Sequence, residues 1–361
     1  MSPLCAALQS LAAGEALSPA ESHGAVASLL DGDVPEAAAA AFLTALRIKG
    51  ETADELEGAV RAVRERMTPW DTGTVRDSLL DTCGTGGDGR GTVNISTAAA
   101  IVAAACEVPV VKHGNRAASG RSGSADVLAA LRVATDPDPA VLDRTLAELN
   151  IAFLFAPRFH PGLRTVAPVR RQLPFRTVFN LVGPLCNPAS PPYQLIGVPN
   201  EEQAALLAKV LSRQQHIRRA VVVTGSDGLD EVTLDGPTLI RVIEGARVEH
   251  NVWTPEDFGL GRQSAAALEI RDASESAAKL ERLFAGERGP VRDYVLANSA
   301  GALWVTGRFS LREGVDRAAM AIDSGAAARL LERWRVLAPA PELSEAGEAG
   351  RRGEPPASER S

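Results

Sequence analysis

The sequence predicts an α/β protein preceded by a small all-helical domain. Three observations carry this. Residues 1 to about 70 are rich in Ala, Leu and Glu and show helical spacing without strand-like alternation. From about residue 78, short apolar runs alternate with helical stretches, the texture of a largely parallel sheet with helices on its faces. The chain has 361 residues, which suits two domains and a core that needs neither disulfides nor metal to fold.

In the first region Ala39, Ala40, Phe42, Leu43 and Leu46, then Leu56, Val60 and Val63, recur at helical spacing. Ser18-Pro19-Ala20-Glu21 has a proline at the first helical position and a glutamate at the third, a capping box. Thr52-Ala53-Asp54-Glu55 marks another start, and Gly50 ends the helix before it, so about four short helices are expected. In the second region Leu79-Leu80 leads into a glycine-rich loop, and 95–106 reads as a buried helix. Strands are predicted at 108–112, 151–155, 193–198 and 220–224, and helices at 127–131, 141–149 and 201–214. Residues 162–190 are dense in Arg and Pro and read as less regular. From residue 338 the chain lacks apolar periodicity and reads as a disordered tail.

Composition excludes several function classes. The net charge is −7, which argues against a broadly basic nucleic-acid binder. Cys5, Cys83, Cys106 and Cys186 form no C-x-x-C pair, against a zinc site or disulfide framework. The longest uncharged apolar run, 98–106, is far too short to cross a bilayer. Met1-Ser2-Pro3-Leu4 has no basic stretch and meets Glu15 early, unlike a signal peptide, so a soluble cytoplasmic protein is expected. Only Lys49, Lys112, Lys209 and Lys279 are lysines, against a large excess of arginine, which draws attention to any lysine beside a ligand loop.

Four loops carry chemistry. Asp81-Thr82-Cys83-Gly84-Thr85-Gly86-Gly87-Asp88-Gly89 has four glycines within six residues, more than a tight strand-to-helix turn needs. Glycines let successive backbone N–H groups converge on an anion, with a helix start behind them. Gly84-x-Gly86-x-x-Gly89 formally fits a dinucleotide fingerprint, but the next strand ends at Lys112-His113 and Glu107 precedes it, so the ribose-binding acid is misplaced. No Gly-Lys-Ser/Thr follows, so the Walker pattern fails too. Asn94-Ile95-Ser96-Thr97 opens an apolar helix with three polar side chains where a cap needs one. Lys112-His113-Gly114-Asn115-Arg116, continuing through Ser119, Arg121, Ser122 and Ser124, forms a second anion cradle at a strand's carboxyl end. Gly225-Ser226-Asp227-Gly228-Leu229-Asp230-Glu231 places adjacent carboxylates at a strand end, a donor set suited to Mg²⁺ shared with substrate phosphates.

Taken together, Gly84-Thr85-Gly86-Gly87-Asp88, Asn94-Ile95-Ser96-Thr97, Lys112-His113-Gly114-Asn115-Arg116 and Asp230-Glu231 resemble, in order and spacing, the signature set of the anthranilate phosphoribosyltransferase family. Ala41-Phe42-Leu43-Thr44-Ala45-Leu46-Arg47-Ile48-Lys49-Gly50 resembles its helical domain. Phe155-Ala156-Pro157, Phe159-His160-Pro161, Arg176-Thr177-Val178-Phe179-Asn180 and Gly183-Pro184-Leu185 resemble its central segment, so the likeness covers about residues 10 to 335. It implies a nucleoside-phosphorylase-type fold: a helical domain, 1–72 joined by about 162–190, hinged to an α/β domain of 73–161 and 191–337, with 338–361 as tail.

The implied reaction moves the phosphoribosyl group of 5-phosphoribosyl 1-pyrophosphate onto the amine of anthranilate, in tryptophan biosynthesis, giving N-(5-phosphoribosyl)anthranilate and pyrophosphate. The implied phosphoribosyl pyrophosphate contacts are Gly84, Thr85, Gly86, Gly87, Asp88, Thr92, Asn94, Ser96, Thr97, Lys112, Asn115, Ser119 and Ser124. Anthranilate would meet Gly84, His113, Asn115, Pro157 and Arg170, and two Mg²⁺ ions would use Ser96, Asp230 and Glu231. No residue is implied as acid, base or nucleophile. The resemblance also implies a cytoplasmic homodimer joined through the helical domains, with no nucleic-acid or membrane partner. Arg132 and Pro174 stand where the family usually has glycine, and Leu163 near where some relatives carry a larger side chain. A pyrimidine nucleoside phosphorylase-like enzyme would share the fold but not need Asp230-Glu231, and a non-catalytic nucleic-acid-binding relative would show a basic face and eroded loops.

Overall fold

A computed structural model describes residues 1–117 and 121–340. The N-terminal region folds as four helices, α1 (Pro3–Ala12), α2 (Pro19–Asp31), α3 (Glu36–Lys49) and α4 (Ala53–Glu65). Both expected capping boxes form. Ser18 Oγ accepts from Glu21 N, and Glu21 Oε2 accepts from Ser18 N. Thr52 and Glu55 repeat the pattern. Glu55 does more than cap: fully buried, it also accepts from Leu17 N at 2.9 Å and from Lys49 Nζ at 2.8 Å, so one carboxylate ties α4 to the ends of its neighbours.

The larger unit runs β1 (Leu80–Gly84), α5 (Ile95–Ala105), β2 (Val110–Gly114), α6 (Ser124–Ala130), α7 (Pro139–Leu149), β3 (Ile151–Phe155), α8 (Ala156–Phe159), α9 (Leu163–Gln172), β4 (Tyr193–Gly197), α10 (Glu201–Leu211), β5 (Arg219–Gly225), β6 (Thr238–Glu244) and β7 (Arg247–Trp253). Four helices close it: α11 (Ala273–Phe284), α12 (Pro290–Val305), α13 (Leu311–Asp323) and α14 (Ala326–Leu337). The strand order is β3-β2-β1-β4-β5-β6-β7, with the first five parallel. These strands are buried on both faces, which is why they read as short apolar runs rather than as alternation. Val221 and Val223 face a core built with α5 and α12, while Ala220 and Val222 face the core shared with the helical domain.

The structure adds to the sequence reading at four points. The strand begins earlier than the loop reading places it: Asp81, Thr82 and Cys83 lie inside β1, buried, and the loop proper starts at Thr85. Residues 162–190 are not wholly irregular. They contain the ten-residue helix α9, interrupted by Pro168 within it, whose Val166 and Val169 are buried in the core shared with the N-terminal helices. The sheet ends in an antiparallel hairpin, β6–β7, joined by Gly245-Ala246 with Glu244 paired to Arg247. Residues 338–340 are pinned rather than free. Ala338 is buried and accepts from Ala134 N, Pro339 bridges Val133, and Ala340 N donates to Arg132 O. The rest of the expected tail, 341–361, lies outside the described residues.

Strand order reverses between β1 and β4. In an open α/β sheet that reversal opens a crevice at the carboxyl ends of the strands. Gly84 pairs with Gly197 at its floor.

Candidate active site

The crevice collects the chemistry-bearing loops from four strand ends. Beyond Gly84, Thr85 N donates to Gly197 O at 3.0 Å, and Gly86 and Gly87 take positive φ of 62° and 88°. Among the described residues, the backbone N–H groups of Gly86, Gly87 and Asp88 have no hydrogen-bond partner. These are the open donors that an anion cradle requires. Asp88 accepts from Arg90 N through one oxygen, while its other oxygen is buried and unpartnered.

Below the loop lies a buried charged floor. Lys112, on β2, donates to Thr82 O and to Ser96 Oγ at 3.2 Å. Burial lowers its pKa, and Asp81, Cys83 and Glu231 pull it back up. Asp81 accepts from Asn187 Nδ2 at 2.8 Å and from His113 N at 3.3 Å, yet burial still pushes its carboxyl up to about 6. Glu231 accepts from Ser96 N at 3.1 Å. Burial and the neighbouring Asp230 raise its pKa, and Asp230 is raised by burial and by Asp88. Two carboxylates crowded together away from solvent favour a cation between them and a ligand.

The loop after β2 joins this floor to the helix dipole of α5. Asn94 Oδ1 accepts from Ser122 Oγ at 2.7 Å and from Ser276 Oγ at 2.8 Å, and Asn94 Nδ2 donates to Ser122 O. Thr97 Oγ1 is buried without a partner. Ser124 Oγ donates to Asn115 O, and Asn115 Oδ1 accepts from Arg116 N. His113 and His160 meet with Nε2 atoms 3.2 Å apart. Because His113 Nδ1 lies 3.1 Å from Gly183 O, that nitrogen carries the hydrogen, and His160 Nε2 is the donor of the pair. Burial drives both rings neutral, to about 3 for His113 and about 4 for His160.

The roof comes from the stretch after α8. Arg170, on α9, stands with its guanidinium carbon 5.5 Å from the Phe179 ring centroid, its pKa lowered by burial and by Arg176. Pro157 lies in α8, where its carbonyl accepts from Arg164. Thr92 is the outlier among the candidates. It bridges Glu269 and lines a separate hollow with Arg90 and Asp235. Ser119 lies outside the described residues.

A family model described as "Glycosyl transferase family, a/b domain" matches residues 76–328, and one described as "Glycosyl transferase family, helical bundle domain" matches residues 6–67. An anthranilate phosphoribosyltransferase of Methylobacterium radiotolerans is 47% identical over 327 residues, 90% of this chain and 94% of the relative. The chain belongs to the anthranilate phosphoribosyltransferase family. Among solved structures, the anthranilate phosphoribosyltransferase of Thermus thermophilus is 42% identical with a TM-score of 0.84, covering 92% of this chain and 98% of that one. That of Saccharomyces cerevisiae in complex with phosphoribosyl pyrophosphate and Mg is 28% identical with a TM-score of 0.83, covering 92% and 97%.

Within this anthranilate phosphoribosyltransferase fold, several residues that complete the site carry no clear signal in the sequence. Asn187 belongs to no quoted motif and reaches the site only through topology, and His160, within Phe159-His160-Pro161, carries no role of its own in the sequence. Asp81 sits beside the glycine motif and reads as part of the loop. Arg176 opens a segment that carries the resemblance but has no role assigned there, and its guanidinium donates to the carbonyls of Thr85 and Gly86.

Proposed function

We infer that the protein transfers the phosphoribosyl group of 5-phosphoribosyl 1-pyrophosphate to the amine of anthranilate and releases pyrophosphate. The observation that carries this reading is the glycine loop, with its unpartnered N–H groups, set beside the buried Asp230–Glu231 pair at the sheet's reversal point. The amine attacks the ribose C1′, the C1′–O bond breaks, and its electron pair leaves on pyrophosphate. Charge therefore builds on the leaving group, where fixed donors and cations are most effective.

In this reading pyrophosphate rests on residues 84–87 with Asn94, Ser96 and Thr97, whose orphaned hydroxyl is then satisfied. Lys112, Asn115, Ser119 and Ser124 hold the remaining phosphate-rich parts, with Asp88 and Thr92 at the margin. Anthranilate meets Gly84, His113, Asn115, Pro157 and Arg170, the last offering a planar fork to its carboxylate. The neutral His113 ring, whose two nitrogens are engaged by Gly183 O and His160, offers the aromatic acceptor a packing face.

The donors beside the glycine loop fit Mg²⁺. Among the described residues no three of His, Cys, Asp and Glu form a ready-made metal cage. Mg²⁺ needs none, since it binds through one or two carboxylates plus substrate phosphates. Ser96, Asp230 and Glu231 would hold it, as two ions, and the unpartnered Asp88 oxygen adds a further hard donor. Bound Mg²⁺ supplies positive charge to the departing pyrophosphate.

We further propose a homodimer through the helical domains, as the family resemblance implies. A cytoplasmic setting is supported by four free cysteines, two of them buried thiols. No helix among the described residues is long and apolar enough to cross a membrane. The test is the loss of anthranilate fluorescence in the presence of phosphoribosyl pyrophosphate and Mg²⁺. Signal loss should need all three components. Turnover of a pyrimidine nucleoside with phosphate, without Mg²⁺, would instead favour the phosphorylase reading.

A further inference from the structure

Arg176 lies where helix α9 has ended and the chain returns toward the sheet. Its guanidinium crosses the crevice to the glycine loop and donates to Thr85 O and Gly86 O. A Cβ on Gly87 would collide with that guanidinium, so the glycine is what lets the two approach.

The local donor count does not balance. The carbonyls of Thr85 and Gly86 are taken by Arg176, while the N–H groups of Gly86, Gly87 and Asp88 have no acceptor among the described residues. Arg176 Nε is buried and also has no partner. The charges surrounding it are mixed: Asp230 and Asp88 stabilise the cation, while Arg47 opposes it and Arg170 stands close by. Neutral carbonyls are weak partners for a half-buried guanidinium, whereas a charge-assisted bond to an oxyanion is about twice as strong. An anion with several oxygens, placed on the loop, would satisfy these donors together.

We propose that Arg176 is a pyrophosphate-binding residue, which turns its fork from the carbonyls of Thr85 and Gly86 onto the leaving group of phosphoribosyl pyrophosphate. This rests on the reading of the loop as the pyrophosphate cradle. Arg176 remains protonated throughout. When the C1′–O bond breaks and the electron pair passes to pyrophosphate, the guanidinium meets a more negative partner, so its contribution grows toward the transition state. The same side chain fastens the return from α9 to the loop.

The test uses inorganic pyrophosphate as probe, by calorimetry on the full chain with and without Mg²⁺, alongside steady-state kinetics. Arg176→Ala should weaken pyrophosphate binding by about ten- to a hundredfold, the usual cost of a charge-assisted contact. KM for phosphoribosyl pyrophosphate should rise by a similar factor and kcat should fall, while KM for anthranilate stays within about twofold. Arg176→Lys, which keeps the charge but not the fork, should recover part of the binding and keeps the test open if the alanine variant does not fold. Unchanged or tighter pyrophosphate binding in Arg176→Ala would overturn the proposal, the tighter result marking Arg176 as a plug. A loss confined to anthranilate would overturn it as well. If the unaltered protein itself fails to bind pyrophosphate, the reading of the loop fails instead.

Discussion

The floor of the site and its roof each hold cations away from open solvent, but on opposite terms. On the floor, Lys112 is held by Thr82 O and Ser96 Oγ, with Asp81 and Glu231 close enough to counter its charge. Asn187 then locks Asp81 to Val111 O at 2.8 Å. On the roof, Arg170 faces an aromatic ring and Arg176 faces carbonyls. The floor is neutralised within the fold and is part of its stability. The roof holds cations whose best partner is a ligand. Substitutions should therefore divide into those that unfold and those that only weaken binding.

The largest effect belongs to the floor. Lys112→Met leaves Asp81 and Glu231 buried without their cation and should cost about 3–5 kcal/mol in urea unfolding, besides abolishing activity. A loss below about 1 kcal/mol would mean that the floor is not an ionic unit.

On the roof, Arg170→Ala should raise KM for anthranilate about ten- to a hundredfold, corresponding to about 1.5–3 kcal/mol, with little change in the urea midpoint. Arg171→Ala, exposed one residue on, should do much less. If Arg170→Ala unfolds the protein as Lys112→Met does, the contrast between the two layers collapses.

Asp230 and Glu231 sharpen the comparison from between the layers. Their pKa values are raised in the folded protein, so their protonated forms favour folding and stability falls as pH rises through the folded values. In metal-free protein at pH 8, Asp230→Asn and Glu231→Gln should melt a few degrees higher than the parent, while needing more Mg²⁺ and turning over more slowly. Added Mg²⁺ should raise the melting temperature of the parent and not of the variants. Identical Mg²⁺ responses would remove these carboxylates from the metal site.

The smallest effect lies away from both layers. Arg132 follows α6 with φ 65°, a left-handed conformation that suits glycine. Arg132→Gly should stabilise by about 0.5–1 kcal/mol without altering kinetics. A loss of stability would show that the side chain makes a compensating contact.

Legibility in the sequence follows the range of the interactions. Ser18–Glu21 and Thr52–Glu55 are three-residue devices, readable as written. The strands β3, β4 and β5 are readable because burial on both faces makes apolar runs. The antiparallel hairpin escapes a reading tuned to parallel strands, although Gly245-Ala246 separates two β-branched stretches, and α11–α14 lie beyond the elements expected from the sequence. The loop motifs carry most of the site, since each sits within a few residues of a strand end. What stays hidden is assembled by topology: Asn187 meets Asp81 across 106 positions of chain, and Arg176 meets Gly86 across 90. Arginine's usual place on the surface conceals the second of these.

The hairpin that ends the sheet also decides how open the margins of that sheet are. An open strand edge invites another strand to add on, and proteins guard against this with charge. Strand β7 presents exposed Arg247 and His250, with Arg247 ion-paired to Glu249, while β3 at the opposite edge is buried except for its last residue. Neither margin offers a clean template for ribbon-like growth. Strand addition at either margin is thereby disfavoured.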